Sequence, residues 1–374
     1  MSKEKEELEV KTRYPIGDPI KHFFNRIIVG SKRFVDIKIP AAGSNLKSWA
    51  TSFRGGFIIT FLIILIIITP LMNDPVYYNT FIIAMIFSIL AASWDILAGV
   101  TGQVSFGHSA FFGIGGYIFA LFINAFGADW LTSIFMSAIF TVLIGLIIAI
   151  PSLRLKGPYL ALGTLAFSLA LYYIFQFPEL HVENVYLPLS LKIFWFSNPM
   201  REFFIVLIFM IISVVIMLII FNSRLGTVFK GIRDNEYATE ASGINTVKYK
   251  LISFMISSFF AGLAGSLYAL HYGTATFLMF ENKLSFYPVV FTILGGIASI
   301  SGSVMGAFTF VFLVRIISEF FSLLFPIELM TYIDTFAIVA FAIILVLIIR
   351  FSQHGIFEPI IKNAKKLWDI LLGK

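Results

Sequence analysis

The sequence predicts an all-α, polytopic membrane protein, and two of its features carry that prediction. Of its 374 residues, 59% are hydrophobic and only 13% are charged, and the mean hydropathy is +0.92. Soluble domains are closer to half apolar and about a quarter charged. The apolar residues also gather into runs of about 20, the length that an α-helix needs to cross a bilayer. The fold class is therefore a bundle of membrane-spanning helices.

Apolar runs divide the chain into an arm, a membrane domain and a tail. The runs cover residues 56–71, 79–98, 104–124, 131–150, 158–177, 202–221, 249–272, 285–299, 303–324 and 332–349. We expect about ten spans, some of them broken by glycines, in a transmembrane domain at 56–350. Residues 1–55 form a hydrophilic N-terminal arm, which is either an amphipathic helix on membrane lipids or a solvated tail. Residues 351–374 form a C-terminal tail.

Basic residues are distributed unevenly between the two sides of the predicted bundle. If the spans alternate, 22 of the 27 Lys and Arg residues lie on the side of the N-terminus, and Lys192, Arg201 and Lys283 lie on the other. Loops rich in Lys and Arg stay in the cytoplasm. We therefore expect a multi-pass protein of the cell membrane with both termini and the loop at 222–248 in the cytoplasm. The net charge of +6 follows this membrane rule, so we expect no nucleic-acid partner.

Several kinds of chemistry are not expected. The chain has no Cys, and its five His residues are too scattered for an evident metal site. It also lacks the G-x-x-x-x-G-K-[ST] loop that cradles nucleotide phosphates. We expect no catalytic residues, no metal and no cofactor of its own, and the protein is not expected to be an enzyme.

Residues 93–117, SWDILAGVTGQVSFGHSAFFGIGGY, interrupt an apolar region with glycines and polar side chains. Irregular backbone is tolerated at membrane depth only inside protein or beside water, and glycine-interrupted segments often mark substrate sites. Small residues also let helices pack closely, and the pattern alone leaves both interpretations open. The residues that would line a substrate path are Asp95, Gly99, Gly102, Gln103, Ser105, Gly107, His108 and Ser109.

A second stretch of small residues, LGGIASISGSVMGAF, occupies 294–308 and adds Gly295, Gly296 and Ser301 to the candidate path. It either repeats the first stretch, as internal repeats do in many transporters, or shares only a packing face with it. Arg315 and Glu319 lie four residues apart in the next apolar run, and we expect them to pair on one helix face.

The loop at 222–248 is too long for a tight turn. Residues 237–242 favour a short helix, which Gly243 can end in a left-handed conformation. The loop either docks a partner on the membrane surface or only anchors two spans through its positive charge.

Two motifs, GQVSFGHSAFFGIGGY and ATEASGI, resemble the hallmarks of the branched-chain amino acid ABC transporter permeases, the LivM-type inner-membrane subunits. The resemblance covers roughly 79–350. It implies that the short helix docks on an ATP-hydrolysing subunit, with coupling residues at matching positions: Arg233, Asn235, Glu236, Glu240, Ala241 and Gly243. The sequence departs from the family at Asp95, where Asn is usual, in the loop after the fifth span, and at the C-terminus.

The resemblance implies an importer permease for branched-chain or other apolar amino acids. Its implied partners are a second, related permease in a heterodimer, two ABC ATPase subunits that bind the ATP, an extracytoplasmic substrate-binding protein and membrane lipids. A urea or short-chain amide permease and a ribose- or nucleoside-type permease share the signatures and stay open. A stand-alone channel or an integral-membrane enzyme also stays open, although neither needs a docking loop.

Single Cys residues introduced into this Cys-free chain test the predicted orientation. We expect Asn235→Cys to react with a membrane-impermeant thiol reagent only after the cytoplasmic side is opened, because the basic loops stay inside. Lys192→Cys, on the other side, is the matched control and should react in intact cells. Labelling of position 235 from outside intact cells would contradict the orientation.

Overall fold

The fold was obtained as a computed structural model that describes residues 74–153, 157–177, 184–191, 198–324 and 333–351. The predicted arm at 1–55, the first apolar run at 56–71 and almost all of the predicted tail at 351–374 lie outside the described residues.

The described residues are mostly helical. The helices are α1 (Pro75–Asp95), α2 (His108–Phe126), α3 (Trp130–Ser152), α4 (Pro158–Gln176), α5 (Pro199–Phe221), α6 (Arg224–Asp234), α7 (Glu236–Ala241), α8 (Thr246–Tyr272), α9 (Asn282–Gly295), α10 (Ile300–Leu324) and α11 (Ile333–Phe351). A π-helical turn, Ile96–Val100, extends α1, and a 3-10 turn, Phe277–Phe280, precedes α9. Two short strands, β1 (Asn184–Tyr186) and β2 (Thr274–Thr276), pair antiparallel with Val185 opposite Ala275.

Seven helices within the described ranges are long and apolar enough to cross a membrane. They are α1 with its π turn, α2, α3, α4, α5, α8 and α10. The expected count of about ten is therefore not confirmed. The apolar run at 285–299 corresponds to α9, which has only 14 residues and is too short to cross. The run at 332–349 corresponds to α11.

Local sequence chemistry sets several helix ends. Asp74, Asp129, Asn198 and Asn245 precede α1, α3, α5 and α8, and each side chain accepts a hydrogen bond from a backbone amide in the first turn. At the other ends of α2 and α8, Gly127 and Gly273 take left-handed conformations. The apolar runs therefore begin and end where short-range capping signals stand.

The long helices define two ends of the bundle. Helices α6 and α7 precede the first residue of α8 and mark the loop end, whereas β1 and β2 lie at the strand end, where α8 finishes. Helix α1 runs from the strand end to the loop end beside the antiparallel α10: Phe81 contacts Phe312 at a centroid distance of 4.7 Å, and Ser88 Oγ donates to the Val304 carbonyl.

Helices α2 and α8 approach each other at small residues. A Cβ atom at Gly115 would collide with the backbone of Gly262, and one at Gly265 would collide with the backbone of Phe112. Ser266 Oγ also donates to the Gly115 carbonyl at 3.3 Å. Because lipid supplies no hydrophobic driving force between helices, such close backbone packing is what holds them together.

A buried polar contact joins three helices at the strand end. His271, in the last turn of α8, contacts the carboxylate of Glu202 in α5 through Nδ1. Its Nε2 lies 2.6 Å from Asn79 Oδ1 in α1. Polar groups that are satisfied within the bundle stabilise helix association where no water is available.

Alanine at position 265 should destabilise the bundle. Its Cβ would meet the Phe112 backbone, which cannot move without shifting α2, and overpacking of this kind costs about 1–3 kcal/mol. We expect Gly265→Ala to lower the melting temperature of the purified protein in detergent.

Gly231→Ala is the matched control, because a Cβ there would meet only side-chain atoms of Thr239, the nearest at 3.2 Å. That variant should melt close to the wild type. Equal melting temperatures for Gly265→Ala and the wild type would contradict the packing described for α2 and α8.

Candidate functional site

Regular helix structure is interrupted between Val100 and His108. Gly102 takes a left-handed conformation with φ of +76°, which a residue with a Cβ rarely adopts. The chain then turns back along α1, where Trp94 Nε1 donates to the Ser105 carbonyl at 2.7 Å. Gly107 lies so close to the Thr164 carbonyl of α4 that a Cβ would collide with it. Glycine is thus required here both for a turn and for close packing.

His108 begins α2 deep inside the bundle. Its Nε2 lies 3.0 Å from Ser257 Oγ, and Ser257 is about 16 Å along α8 from the loop end at 1.5 Å per residue. Ser257 Oγ donates its single hydrogen to the Ser93 carbonyl, so it accepts from His108 Nε2–H. His108 Nδ1 is then an acceptor, and it is buried without a hydrogen-bond partner among the described residues.

The start of α9 meets the start of α2 at this depth. Ser109 N donates to Ser285 Oγ at 3.0 Å, and Ser109 Oγ donates to the Phe280 carbonyl at 3.0 Å. Ser168 of α4 joins the same group of hydroxyls. Two helices therefore begin inside the bundle and are joined there through serine side chains.

The two stretches of small residues meet at the loop end. Asp95 is fully buried, and its Oδ1 accepts a hydrogen bond from the Ala298 amide at 2.8 Å. Ala298 has a φ of +61°, a strained value for a residue other than glycine. A Cβ at Gly99 would collide with both Asp95 Oδ1 and the Ala298 amide, so glycine makes room for this contact. We call the Asp95–Ala298 hydrogen bond, together with Gly99 beside it, the junction.

Arg233 connects the loop at 222–248 to the junction. It lies in the last turn of α6, and its Nη1 donates to the Gly99 carbonyl at 3.1 Å. Its Cα lies 3.2 Å from the position of a Cβ at Gly102, so the loop and the interrupted segment are in direct contact. Asp234 pairs with the same guanidinium at 3.0 Å.

Helix α7 stands next to Arg233 on the outside of the bundle. Asn235 caps it by accepting from the Ala238 amide, and Gly243 follows it with a φ of +82°. The predicted short helix is therefore confirmed, although it begins and ends one residue earlier than expected, and Gly243 has the predicted left-handed conformation. Glu236 pairs with Lys250 Nζ at 2.7 Å and ties α7 to α8. Tyr237 is 74% exposed, which leaves the face of α7 open.

Lys230 of α6 packs against the end of α5. Lys230 Nζ donates to the Phe221 carbonyl at 3.4 Å and lies 3.6 Å from the Phe221 ring centroid. Partial burial, and then the nearby charge of Arg233, lower the pKa of the Lys230 ammonium. The ring contact compensates part of this cost.

The predicted site residues separate into buried and accessible groups. Asp95, Gly99, Ser105, Gly107, His108, Ser109 and Gly295 are buried. Gly102, Gln103, Gly296 and Ser301 keep some exposure, as does the exposed Val104 beside them. The loop residues Glu240, Ala241 and Gly243 are exposed and do not join the junction. In this conformation the buried group packs the two stretches together, and the accessible group keeps contact with the surface.

Sequence reasoning missed several partners of these residues. Ser257, Thr164 and Ala298 complete the contacts of His108, Gly107 and Asp95. It also placed Lys283 in a loop outside the bundle, where the structure has a Glu281–Lys283 pair at the start of α9. The available signal was the apolar run at 285–299, whose 15 residues are fewer than the roughly 20 that a crossing helix needs. Among the described residues, no cluster of His, Asp and Glu could hold a metal ion.

Comparisons with known proteins agree with this architecture. Residues 76–351 match the family described as branched-chain amino acid transport system / permease component. The high-affinity branched-chain amino acid transport system permease proteins LivM of Salmonella typhimurium and Escherichia coli are 24% and 25% identical over 267 residues, 64% of this chain and 63% of each relative. A probable LivM permease of Methanocaldococcus jannaschii is 26% identical over 185 residues, 48% of this chain and 53% of that relative. No solved structure matches the chain.

The matched region spans less than two thirds of the length of these relatives. The family match nevertheless covers most of the chain and all of the helices described above. The family is one of transport-system permeases and not of enzymes, as the two sequence motifs implied. The chain belongs to the family of permease components of branched-chain amino acid transport systems.

Proposed function

We propose that this chain is the membrane-spanning permease subunit of an ATP-binding cassette importer that carries branched-chain or other apolar amino acids into the cell. One observation carries the proposal: Arg233 donates to the Gly99 carbonyl at 3.1 Å and so connects the loop at 222–248 to the interior of the bundle. The printed names of the relatives, branched-chain amino acid permeases, support the substrate class.

In this proposal the loop end is cytoplasmic and α7 docks on an ATPase subunit. The Glu236–Lys250 pair holds α7 to α8. A displacement of α7 by the ATPase would therefore be transmitted to α8. The coupling residues have different roles. Glu240, Ala241 and Gly243 face the ATPase. Arg233 and Glu236 hold the loop to the bundle, and Asn235 caps α7.

Transport requires the path to open alternately to the two sides, and ATP supplies the free energy only if it biases one state over the other. A displacement of α6 would move Arg233 and, through the Gly99 carbonyl, the junction of the two stretches. Helices that begin inside a bundle are typical of substrate sites in transporters, and α2 and α9 begin there together. The path would pass the accessible group around Gly102, Gln103, Gly296 and Ser301.

A second permease subunit would cover the exposed part of this path. The residues 101–107 are not helical, and Gly102 and Val104 are exposed on the surface of the single chain. Non-helical backbone cannot face lipid at membrane depth and needs protein or water beside it. A related permease in a heterodimer would supply both a protein wall and a water-filled space. Two ATPase subunits and a substrate-binding protein complete the proposed assembly.

Uptake of L-leucine into proteoliposomes tests the function. The complex of this chain with its ATPase subunits, second permease and binding protein should accumulate leucine only with ATP. Arg233→Gln removes a charged hydrogen bond worth about 1.5–3 kcal/mol, so uptake should fall about tenfold or more. Binding-protein stimulation of ATP hydrolysis should fall with it.

Arg224→Gln is the matched control, because Arg224 is exposed at the start of the same helix. Its uptake should stay within about twofold of wild type, as for most exposed charges. Leucine movement by this chain alone, without ATP, or wild-type uptake by Arg233→Gln would contradict the proposed function.

A further inference from the structure

Glu281 and Lys283 flank the start of α9 within the membrane depth of the bundle. The Phe280 carbonyl accepts from Ser109 Oγ at 3.0 Å, and Ser285 Oγ donates to Ser109 Oγ at 2.7 Å. Ser109 follows His108, which lies about 16 Å along α8 from the loop end. Because α8 is about 40 Å long and the hydrocarbon layer is about 30 Å thick, this pair of charges lies at hydrocarbon depth.

The two charges touch but are not enclosed. Lys283 Nζ lies 2.6 Å from Glu281 Oε2, and the side chains are 54% and 34% exposed. The ammonium of Lys283 satisfies Glu281 Oε2 as an ion pair, whereas Asn282 Oδ1 is buried without a hydrogen-bond partner among the described residues. Charges at this depth face a water-filled cavity or protein and not lipid. The Asn282 oxygen is notable because buried acceptors are almost always paired.

Tyrosine side chains lie near the pair. The rings of Tyr268 and Tyr272 are 4.5 Å apart, and Tyr287 packs on Phe291. Glu281 is close enough to act electrostatically on Tyr268 and on Tyr287. Aromatic faces attract ammonium groups, and phenol hydroxyls donate to carboxylates.

Two exposed apolar side chains, Leu278 and Phe286, stand next to these polar groups. The neighbourhood therefore combines opposite charges, one unsatisfied amide oxygen, aromatic rings and an apolar surface. This is the combination that a small zwitterion with an apolar side chain requires.

We propose that Glu281, Asn282 and Lys283, with the nearby tyrosines, bind the charged ends of an amino acid on the path. The inference rests on the proposed function and names the residues that recognise its substrate class. Glu281 and Asn282 Oδ1 accept hydrogen bonds from the ammonium group, and Lys283 donates to the carboxylate. In the empty site the two charges neutralise each other, and the zwitterion replaces each of them with its own opposite charge. Because a zwitterion has no net charge, its binding leaves the net charge of the site unchanged.

Leucine uptake per ATP hydrolysed, measured on the complete complex in proteoliposomes, tests this site. Glu281→Gln and Lys283→Gln should each lower uptake about tenfold or more, because each removes a charged hydrogen bond to the amino acid. Stimulation of ATP hydrolysis by the loaded binding protein should persist, since α7 is unchanged. Glu281→Asp and Lys283→Arg keep the charges and should recover part of the uptake.

The double variant Glu281→Gln/Lys283→Gln separates binding from a merely structural ion pair. If the pair is only structural, each single variant leaves one charge without its partner, and the double variant removes that cost. Uptake by the double variant should then exceed uptake by either single variant. A binding role predicts that the double variant is the lowest of the three. Glu319→Gln is the matched control, because Glu319 pairs with Arg315 at 2.8 Å with similar exposure, 42% and 39%. That variant should transport normally.

Two outcomes distinguish this site from the proposed function. ATP-driven leucine uptake that survives the double variant, or that falls equally in Glu319→Gln, overturns the site alone. If the wild-type complex moves leucine without ATP, the importer proposal is wrong. The leucine uptake of the variants then still tests the binding site. A wild-type complex that does not move leucine overturns both.

Discussion

A buried hydrogen bond, from the Ala298 amide to the Asp95 carboxylate, joins the two irregular stretches of this bundle. It holds Ala298 in a left-handed conformation that alanine rarely adopts, and Gly99 leaves the space in which it forms. A buried carboxylate is costly unless hydrogen bonds satisfy it. The bond joins the last residue of α1 to the segment that directly precedes α10.

The junction also explains why the loop contact is suited to coupling. Ion pairs exposed to water are worth about 0–1 kcal/mol, and their loss changes little. Arg233 instead donates to the carbonyl of Gly99, a residue that no other type can replace without a collision. In the proposed transporter, a shift of the loop would therefore displace backbone inside the bundle. This is how ATP binding at the surface would reach a path that starts at α2 and α9.

Much of this arrangement could be predicted from local sequence. Seven of the ten predicted apolar runs correspond to helices of crossing length among the described residues, because length and hydrophobicity determine a crossing. Helix α7 and its end at Gly243 followed from capping chemistry, and the Arg315–Glu319 pair followed from helical spacing. The contact of Arg233 with Gly99 could not be predicted, since it joins residues 134 positions apart. The depth of Glu281 and Lys283 could not be predicted either, because hydropathy does not indicate that α9 begins inside the bundle.

Comparison of Asp95→Asn with Asp95→Ala tests most directly whether the junction works through its hydrogen bond. An asparagine side chain keeps the oxygen that accepts from the Ala298 amide, whereas alanine leaves that amide without a partner. Leucine uptake per ATP in the reconstituted complex should stay within about threefold of wild type for Asp95→Asn and fall about tenfold or more for Asp95→Ala. Equal losses in the two variants, or wild-type uptake by Asp95→Ala, would contradict the account.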